Sequence, residues 1–314
     1  MSTSPSIDIV IPVFNEAAVL PELARRLKAL FAAHAHVQWR AILVDDGSAD
    51  NSAPLIEELH AADPRFTLVQ LSRNFGFQSA LAAGLATSTA DAVVAMDADL
   101  QDPPEVIPEL ITAWQAGAEI VRAVRRSRQE TGLRRWGFDL FHGFFSRVID
   151  FPIEPNSGTF CLMDRCAVDA FQALPERNRF FPGLRAWVGF RKTDVAYDRQ
   201  ERAAGQPQQT LFGLIRYALD GVFSFSYLPL RLLTYAGLIA SGGGFVIGAF
   251  FVTRRLLGIE IAETGFTTLV TLILFLGGVQ LVGIGVLGEY LGRIYDEVKQ
   301  RPNFIVRRRV DTKD

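Results

Sequence analysis

The residues best suited to chemistry gather in three polar runs, each directly after an apolar one: Asn15-Glu16, Asp45-Asp46-Gly47-Ser48-Ala49-Asp50 and Asp97-Ala98-Asp99. Asp97 and Asp99 leave an apolar run at alternate positions, so both carboxylates can reach one divalent ion as the chain turns. An oxygen-only set of this kind suits Mg²⁺ or Mn²⁺ bridging a diphosphate. Taken alone, the same pattern also describes a solvated turn, and Asp45-Asp46-Gly47-Ser48 alone describes a turn with a helix cap. No Gly-x-Gly-x-x-Gly follows the first apolar run and no Gly-x-x-x-x-Gly-Lys occurs. The phosphate cradles of a dinucleotide-binding domain and of a P-loop are therefore both missing. His34, His36, His60 and His142 fall in no motif and read as structural or exposed.

The elements that must hold these runs follow from periodicity. Ile7–Val13, Ala41–Val44, Phe66–Leu71 and Asp91–Met96 read as buried strands, while Glu22–Ala33 and Gln78–Ala86 carry helical patterns between them. Strands alternating with helices predict an α/β domain with a mostly parallel sheet. In such a sheet the ligand crevice lies beyond the carboxyl ends of the strands, where the three polar runs stand.

About half of the 314 residues are apolar, and mean hydropathy is positive although 21% are charged, so the apolar residues are concentrated somewhere. Leu232–Thr253 gives 22 residues without a charge and Thr264–Gly288 another 25. Each is long enough to cross about 30 Å of hydrocarbon as a helix. The short link Arg254–Glu263 makes the pair a transmembrane hairpin, and the basic excess after it (Arg293, Lys299, Arg301, Arg307, Arg308, Arg309, Lys313) predicts a cytoplasmic tail. The amino terminus lacks the pattern of a signal peptide, which predicts a cytosolic first half. Leu211–Leu230, rich in aromatics, reads as a juxtamembrane segment lying at the lipid bilayer interface, or alternatively as a core helix. Gly244-x-x-x-Gly248 has the spacing that lets helices approach closely and favours a homo-oligomer. A net charge of −2 gives no global case for nucleic acid. Cys161 and Cys166 form neither a disulfide framework nor a four-ligand zinc site and suggest a reducing compartment.

Taken together, Ile11-Pro12-Val13-Phe14-Asn15-Glu16, Val44-Asp45-Asp46-Gly47-Ser48-x-Asp50, Arg73-Asn74-Phe75-Gly76 and Asp97-Ala98-Asp99-Leu100-Gln101-Asp102-Pro103-Pro104 resemble the family-2 glycosyltransferases of the GT-A fold. Arg165 after Leu-Met-Asp, Arg202-x-x-Gly205 and Gly288-Glu289-Tyr290-Leu291-Gly292-Arg293 extend the resemblance to the polyprenyl-phosphate glycosyltransferases, most closely the undecaprenyl-phosphate glucosyltransferases of O-antigen modification. The resemblance implies a GT-A domain over residues 1–207, a juxtamembrane segment over 208–230, the two spans within 231–290 and a basic cytoplasmic tail over 291–314. It implies an enzyme of the cytoplasmic (inner) membrane with its catalytic domain in the cytoplasm. The implied reaction is inverting transfer of a hexose, glucose from UDP-glucose before mannose or a modified pentose, to undecaprenyl phosphate. By resemblance Pro12, Val13 and Glu16 line the nucleotide pocket, Val44 and Asp46 hold the base, and Ala98 touches the nucleotide. Asp97, Asp99 and Gln101 bind the metal, Arg125 and Arg202 contact phosphate, and Arg134 and Arg135 meet the lipid phosphate. Two departures remove positive charge: Pro207-Gln208 stands where the family usually has Ser-Lys, and Cys161 where it usually has Arg. A catalytically degenerate membrane scaffold is the competing class. A processive polysaccharide synthase is disfavoured because two spans do not make a channel.

Overall fold

The computed structural model describes residues 4–126, 157–177, 179–198, 227–257 and 265–311. Arg134, Arg135, Arg202, Pro207-Gln208 and most of the Leu211–Leu230 segment lie outside the described residues. The chain divides into two compact units; among the described residues one holds all the strands and six helices and the other the two long apolar helices.

In the first unit the chain runs β1 (Ser6–Val13), α1 (Leu20–Ala33), β2 (Gln38–Asp45), α2 (Ser52–Ala62), β3 (Phe66–Leu71), α3 (Phe77–Thr87), β4 (Ala92–Ala95), α4 (Ile107–Gln115) and β5 (Ile120–Arg125). It continues with β6 (Ser157–Asp164), α5 (Arg165–Ala173), α6 (Phe181–Trp187) and β7 (Lys192–Tyr197), and returns late in the sequence as β8 (Val306–Val310). These strands form one sheet in the order β7-β5-β6-β4-β1-β2-β3-β8. β1 pairs in parallel with β2 and β4, and β2 with β3, while β6 runs antiparallel to both β4 and β5. The parallel centre is the βαβ array expected from the sequence, and its predicted strands and helices fall where the periodicity puts them.

The continuous apolar runs are explained by burial on both faces. Ile7, Ile9, Ile11 and Val13 point into one core with Leu20, Leu23, Leu27 and Phe31 of α1. On the other face α3 lies so close that a Cβ added at Gly84 would come 2.2 Å from Val10 Cγ1 and 3.0 Å from Val44 Cγ2. The small-residue run Ala80-Leu81-Ala82-Ala83-Gly84 is thus a packing requirement. Each fully buried aliphatic or aromatic side chain contributes roughly 1.5–3 kcal/mol. At the amino edge Asp8 is buried, held by Arg40 Nη2 at 2.6 Å and Ser88 Oγ at 2.6 Å.

β8 is a finding that periodicity does not predict. Residues expected as plain basic tail form an antiparallel edge strand on β3, with Val310 opposite Leu68 and Val306 opposite Leu71. In the second unit, α7 (Leu228–Leu256) and α8 (Phe266–Val298) are long and apolar enough to cross a membrane. Their large side chains are exposed, Ile239 at 76% and Phe245 at 79%. The structure extends the sequence expectation at both ends: α7 takes in the last residues of the juxtamembrane segment, and α8 continues past Gly288 to Val298. Among the described residues a Cβ at Gly244 would meet nothing within 4 Å.

Candidate active site

The carboxyl ends of β1, β2 and β4 lie side by side, since Val13 is level with Asp45 and Val10 with Ala95. Their loops are stitched by side chains. Asn15 N donates to Ser48 Oγ at 3.0 Å, Glu16 N to Ser52 Oγ at 3.0 Å, and Ala17 N to Asp50 Oδ2 at 3.1 Å. Ala49 N returns a bond to Asn15 Oδ1 at 2.9 Å, and Asn15 itself is left-handed, at φ 56°. The Asp46 carboxylate, 2% exposed, accepts Phe75 N at 2.7 Å and Gly76 N at 2.9 Å. Burial pushes the Asp46 carboxyl above its ordinary range, against the opposing pull of those two backbone donors. Gly47 is required here: its φ is +70°, and a Cβ would lie 2.5 Å from the backbone carbon of Arg73.

After β4, Asp97 is half-buried and Asp99 is 8% exposed, with Asp99 Oδ1 accepting Gln101 N at 3.1 Å. Leu100 between them and the next turn is left-handed at φ 60° and 1% exposed, so a buried leucine holds the turn in a conformation costing on the order of 1–3 kcal/mol. Such strain is common where a loop must present groups rather than relax. The donor set, two carboxylates with Gln101 beside them, has the oxygen-only chemistry that would suit a hard divalent ion. Among the described residues no third His, Cys, Asp or Glu joins them.

The loop is tied down further on. Tyr197 Oη, at the end of β7, donates a short hydrogen bond to Asp102 Oδ1, and Arg125 Nε donates to Tyr197 Oη at 3.4 Å. Phe160 packs edge-on against the Tyr197 ring at 5.6 Å between centroids. Burial, with the Asp102 carboxylate alongside, pushes the Tyr197 phenol well above its ordinary value, so it stays a donor at any physiological pH. Sequence reasoning missed this pair. Asp102 stands in a motif but carries no expected role, and Tyr197 is 95 residues away with no local signal.

Of the residues expected to form the site, Pro12, Val13, Glu16, Val44, Asp46, Asp97, Ala98, Asp99 and Gln101 stand at the carboxyl ends of β1, β2 and β4 or in the loops that follow. Arg125 ends β5. The structure qualifies how some can act. Val44 is fully buried, its side chain against α3, and both oxygens of Asp46 are already engaged in ordering Phe75 and Gly76. Cys161 is fully buried on β6, where Arg185 of α6 reaches it; burial raises the thiol while that guanidinium opposes the shift.

A mixed α/β sheet with a parallel centre thus carries stitched polar loops and an Asp-x-Asp turn at the carboxyl ends of its central strands. Residues 8–171 match the family described as Glycosyl transferase family 2. The chain belongs to that family and is a glycosyltransferase. It is 44% identical to an uncharacterized glycosyltransferase of Synechocystis sp., covering 96% of this chain and 94% of that protein. It is 42% identical to a protein of Shigella phage SfII named bactoprenol glucosyl transferase, covering 96% of this chain and 97% of that one. Among solved structures, glucosyl-3-phosphoglycerate synthase of Mycobacterium tuberculosis, in complex with Mn²⁺, UDP and phosphoglyceric acid, superposes with a TM-score of 0.50 at 18% identity. The match covers 70% of this chain and 78% of that one, and it supports the fold.

Proposed function

We propose that this chain transfers glucose from UDP-glucose to undecaprenyl phosphate, with inversion at the anomeric carbon, releasing UDP and leaving a glucosyl phosphate ester on the lipid. The observation that carries the reading is the likeness to the phage bactoprenol glucosyl transferase, which extends over 96% of the chain and so takes in the apolar helices as well as the sheet. On this reading residues 1–207 are the catalytic domain, 208–230 an interfacial segment, 231–290 the two spans and 291–314 the tail. The enzyme is then a multi-pass protein of the inner membrane whose catalytic domain faces the cytoplasm.

The chemistry needs leaving-group stabilisation more than proton transfer. A phosphate monoester is already an anionic nucleophile near neutral pH, so no general base has to be found among the four histidines. One acceptor phosphate oxygen forms a bond to the anomeric carbon as the bond from that carbon to the UDP β-phosphate oxygen breaks. Asp97 and Asp99, with Gln101, would hold Mg²⁺ or Mn²⁺, which when bound offsets charge on the diphosphate. Arg125 and Arg202 oppose the same charge from the protein side, and preorganised guanidinium groups cost no reorganisation as the charge develops. Pro12, Val13, Glu16, Val44, Asp46 and Ala98 form the donor pocket, and Arg134 and Arg135 meet the lipid phosphate.

The test uses full-length protein in detergent with radiolabelled UDP-glucose and undecaprenyl phosphate. Label passing into an organic-soluble lipid, with release of UDP, is expected. A panel of nucleotide sugars reports the donor: a faster GDP-mannose reaction would replace glucose by mannose and keep the enzyme class. No lipid product from any donor would overturn the reading in favour of a degenerate scaffold.

A further inference from the structure

The turn that carries Asp97 and Asp99 is not fixed by its own residues alone. Asp99 Oδ1 accepts Gln101 N at 3.1 Å, and Leu100 holds a left-handed φ of 60°, a conformation that persists only where the surroundings impose it. Asp102 supplies such a constraint. Its carboxylate stands one residue beyond Gln101, is 2% exposed, and accepts the Tyr197 hydroxyl. Among the described residues Asp102 does not join Asp97 and Asp99 in a group of three that could hold a metal ion. A buried carboxylate is costly unless it is hydrogen-bonded, so Asp102 stays inside only while its donors hold it.

The donor is anchored independently of the turn. β7 pairs in parallel with β5, which sets Tyr197 level with Arg125, and the Tyr197 carbonyl accepts Arg126 N at 2.9 Å. Tyr197 is 4% exposed, Phe160 of β6 packs edge-on against its ring, and Arg125 Nε donates to its hydroxyl at 3.4 Å. Ring, backbone and hydroxyl are thus set by three strands. Their partner is the less regular one, because Asp102 sits in the stretch between β4 and α4 where no strand pairing holds the chain.

We propose that Tyr197 is a positioning residue for the divalent-ion site: through Asp102 its hydroxyl pins the turn over residues 97–101 to the sheet before an ion arrives. The hydroxyl is not a ligand. It acts by sparing the ion the cost of ordering the turn, which is how preorganisation raises affinity without a new contact. This rests on the reading that Asp97 and Asp99 hold the ion, and the binding test separates the two.

Mn²⁺ is titrated into chelator-treated full-length protein in detergent, with and without UDP, and the free ion is counted by electron paramagnetic resonance. The unmodified chain should bind Mn²⁺ and Asp99→Ala should not; no binding by the first, or equal binding by both, overturns the metal reading and the proposal with it. Tyr197→Phe keeps the ring against Phe160 and loses only the hydroxyl, so its dissociation constant should rise roughly ten-fold. Asp102→Ala should show the same rise, whereas Asp102→Asn, whose amide oxygen can still accept the phenol, should stay close to the unmodified chain. Combining Tyr197→Phe with Asp102→Ala should lose no more than either alone, because both remove one bond; additive losses would overturn the proposal. Ile7→Val, a core change at the opposite end of β1, should lower the melting temperature and leave Mn²⁺ affinity unmoved. Affinity that falls with melting temperature in both Ile7→Val and Tyr197→Phe, or unchanged affinity in Tyr197→Phe, makes Tyr197 a structural residue and overturns the proposal. Should Tyr197→Phe fail to fold, the two Asp102 variants decide, and equal affinities in Asp102→Ala and Asp102→Asn overturn it.

Discussion

Asp99 shows how much a single side chain can be asked to do. It is mostly buried, it organises its own turn through Gln101 N, and it shares that turn with Asp97 and a left-handed Leu100. Replacing it by alanine removes one of two carboxylates available to a divalent ion. Asp99→Ala is expected to abolish lipid glucosylation while circular dichroism remains native, and EDTA should abolish turnover of the unmodified chain. Activity persisting in EDTA would show that Asp97 and Asp99 serve the turn alone. Gly47 presents the opposite case, a residue whose absence of side chain matters. Gly47→Ala forces a Cβ against the Arg73 backbone at a positive φ, so a loss on the order of 1–3 kcal/mol is expected in denaturant titration, together with weaker nucleotide binding.

At the scale of elements, β8 carries the unexpected connection. Arg308 Nε donates to Gln70 Oε1 at 2.8 Å, and Gln70 Nε2 donates to the fully buried Asp45 at 3.1 Å. Asp45 in turn accepts Ser48 N at 3.0 Å, and Ser48 Oγ holds Asn15 N. The last strand of the chain is thereby joined to the loops of the first two. Removing Gln70 leaves a buried carboxylate oxygen short of a donor, at about 1–3 kcal/mol. Gln70→Ala should therefore lower stability by that amount and raise KM for the nucleotide sugar, with KM for the polyprenyl phosphate little changed. Arg308→Ala removes a largely exposed pair with Glu57 and should cost under about 1 kcal/mol. Equal rises in both KM values for Gln70→Ala would mean that β8 supports the sheet in general and the donor loops not at all.

For the whole molecule the proposed reading makes α7 and α8 the membrane spans and puts the catalytic unit on the cytoplasmic side, and labelling tests both. With Cys166 replaced by serine, Cys161 is buried and single cysteines can report position. A membrane-impermeant maleimide on intact cells should label Glu260→Cys in the link, and should label Ala61→Cys and Arg301→Cys only after permeabilisation. The reverse pattern would place the catalytic unit outside. β8 bears on this directly, because it pairs with β3 and the chain after α8 therefore returns to the same unit as the amino terminus.

The parts of this protein legible in its sequence are those written locally. Strands buried on both faces appear as unbroken apolar runs, a strand followed by Asp-x-Asp announces a polar turn at the sheet edge, and long uncharged stretches announce helices suited to lipid. Spacing along the chain carries all three, because each depends on neighbours within a few residues. Other features became visible only when distant segments met. Val44 stands in a recognisable motif, but whether its side chain faces a ligand or α3 depends on which side of the sheet that helix packs. Tyr197 reaches Asp102 across 95 residues, Arg185 reaches Gly158 from a separate helix, and Val306–Val310 looks like a basic tail until β3 supplies its partner. Pairings of this kind are chosen by strand register and burial across the folded chain, and no local pattern of residue types encodes the partner.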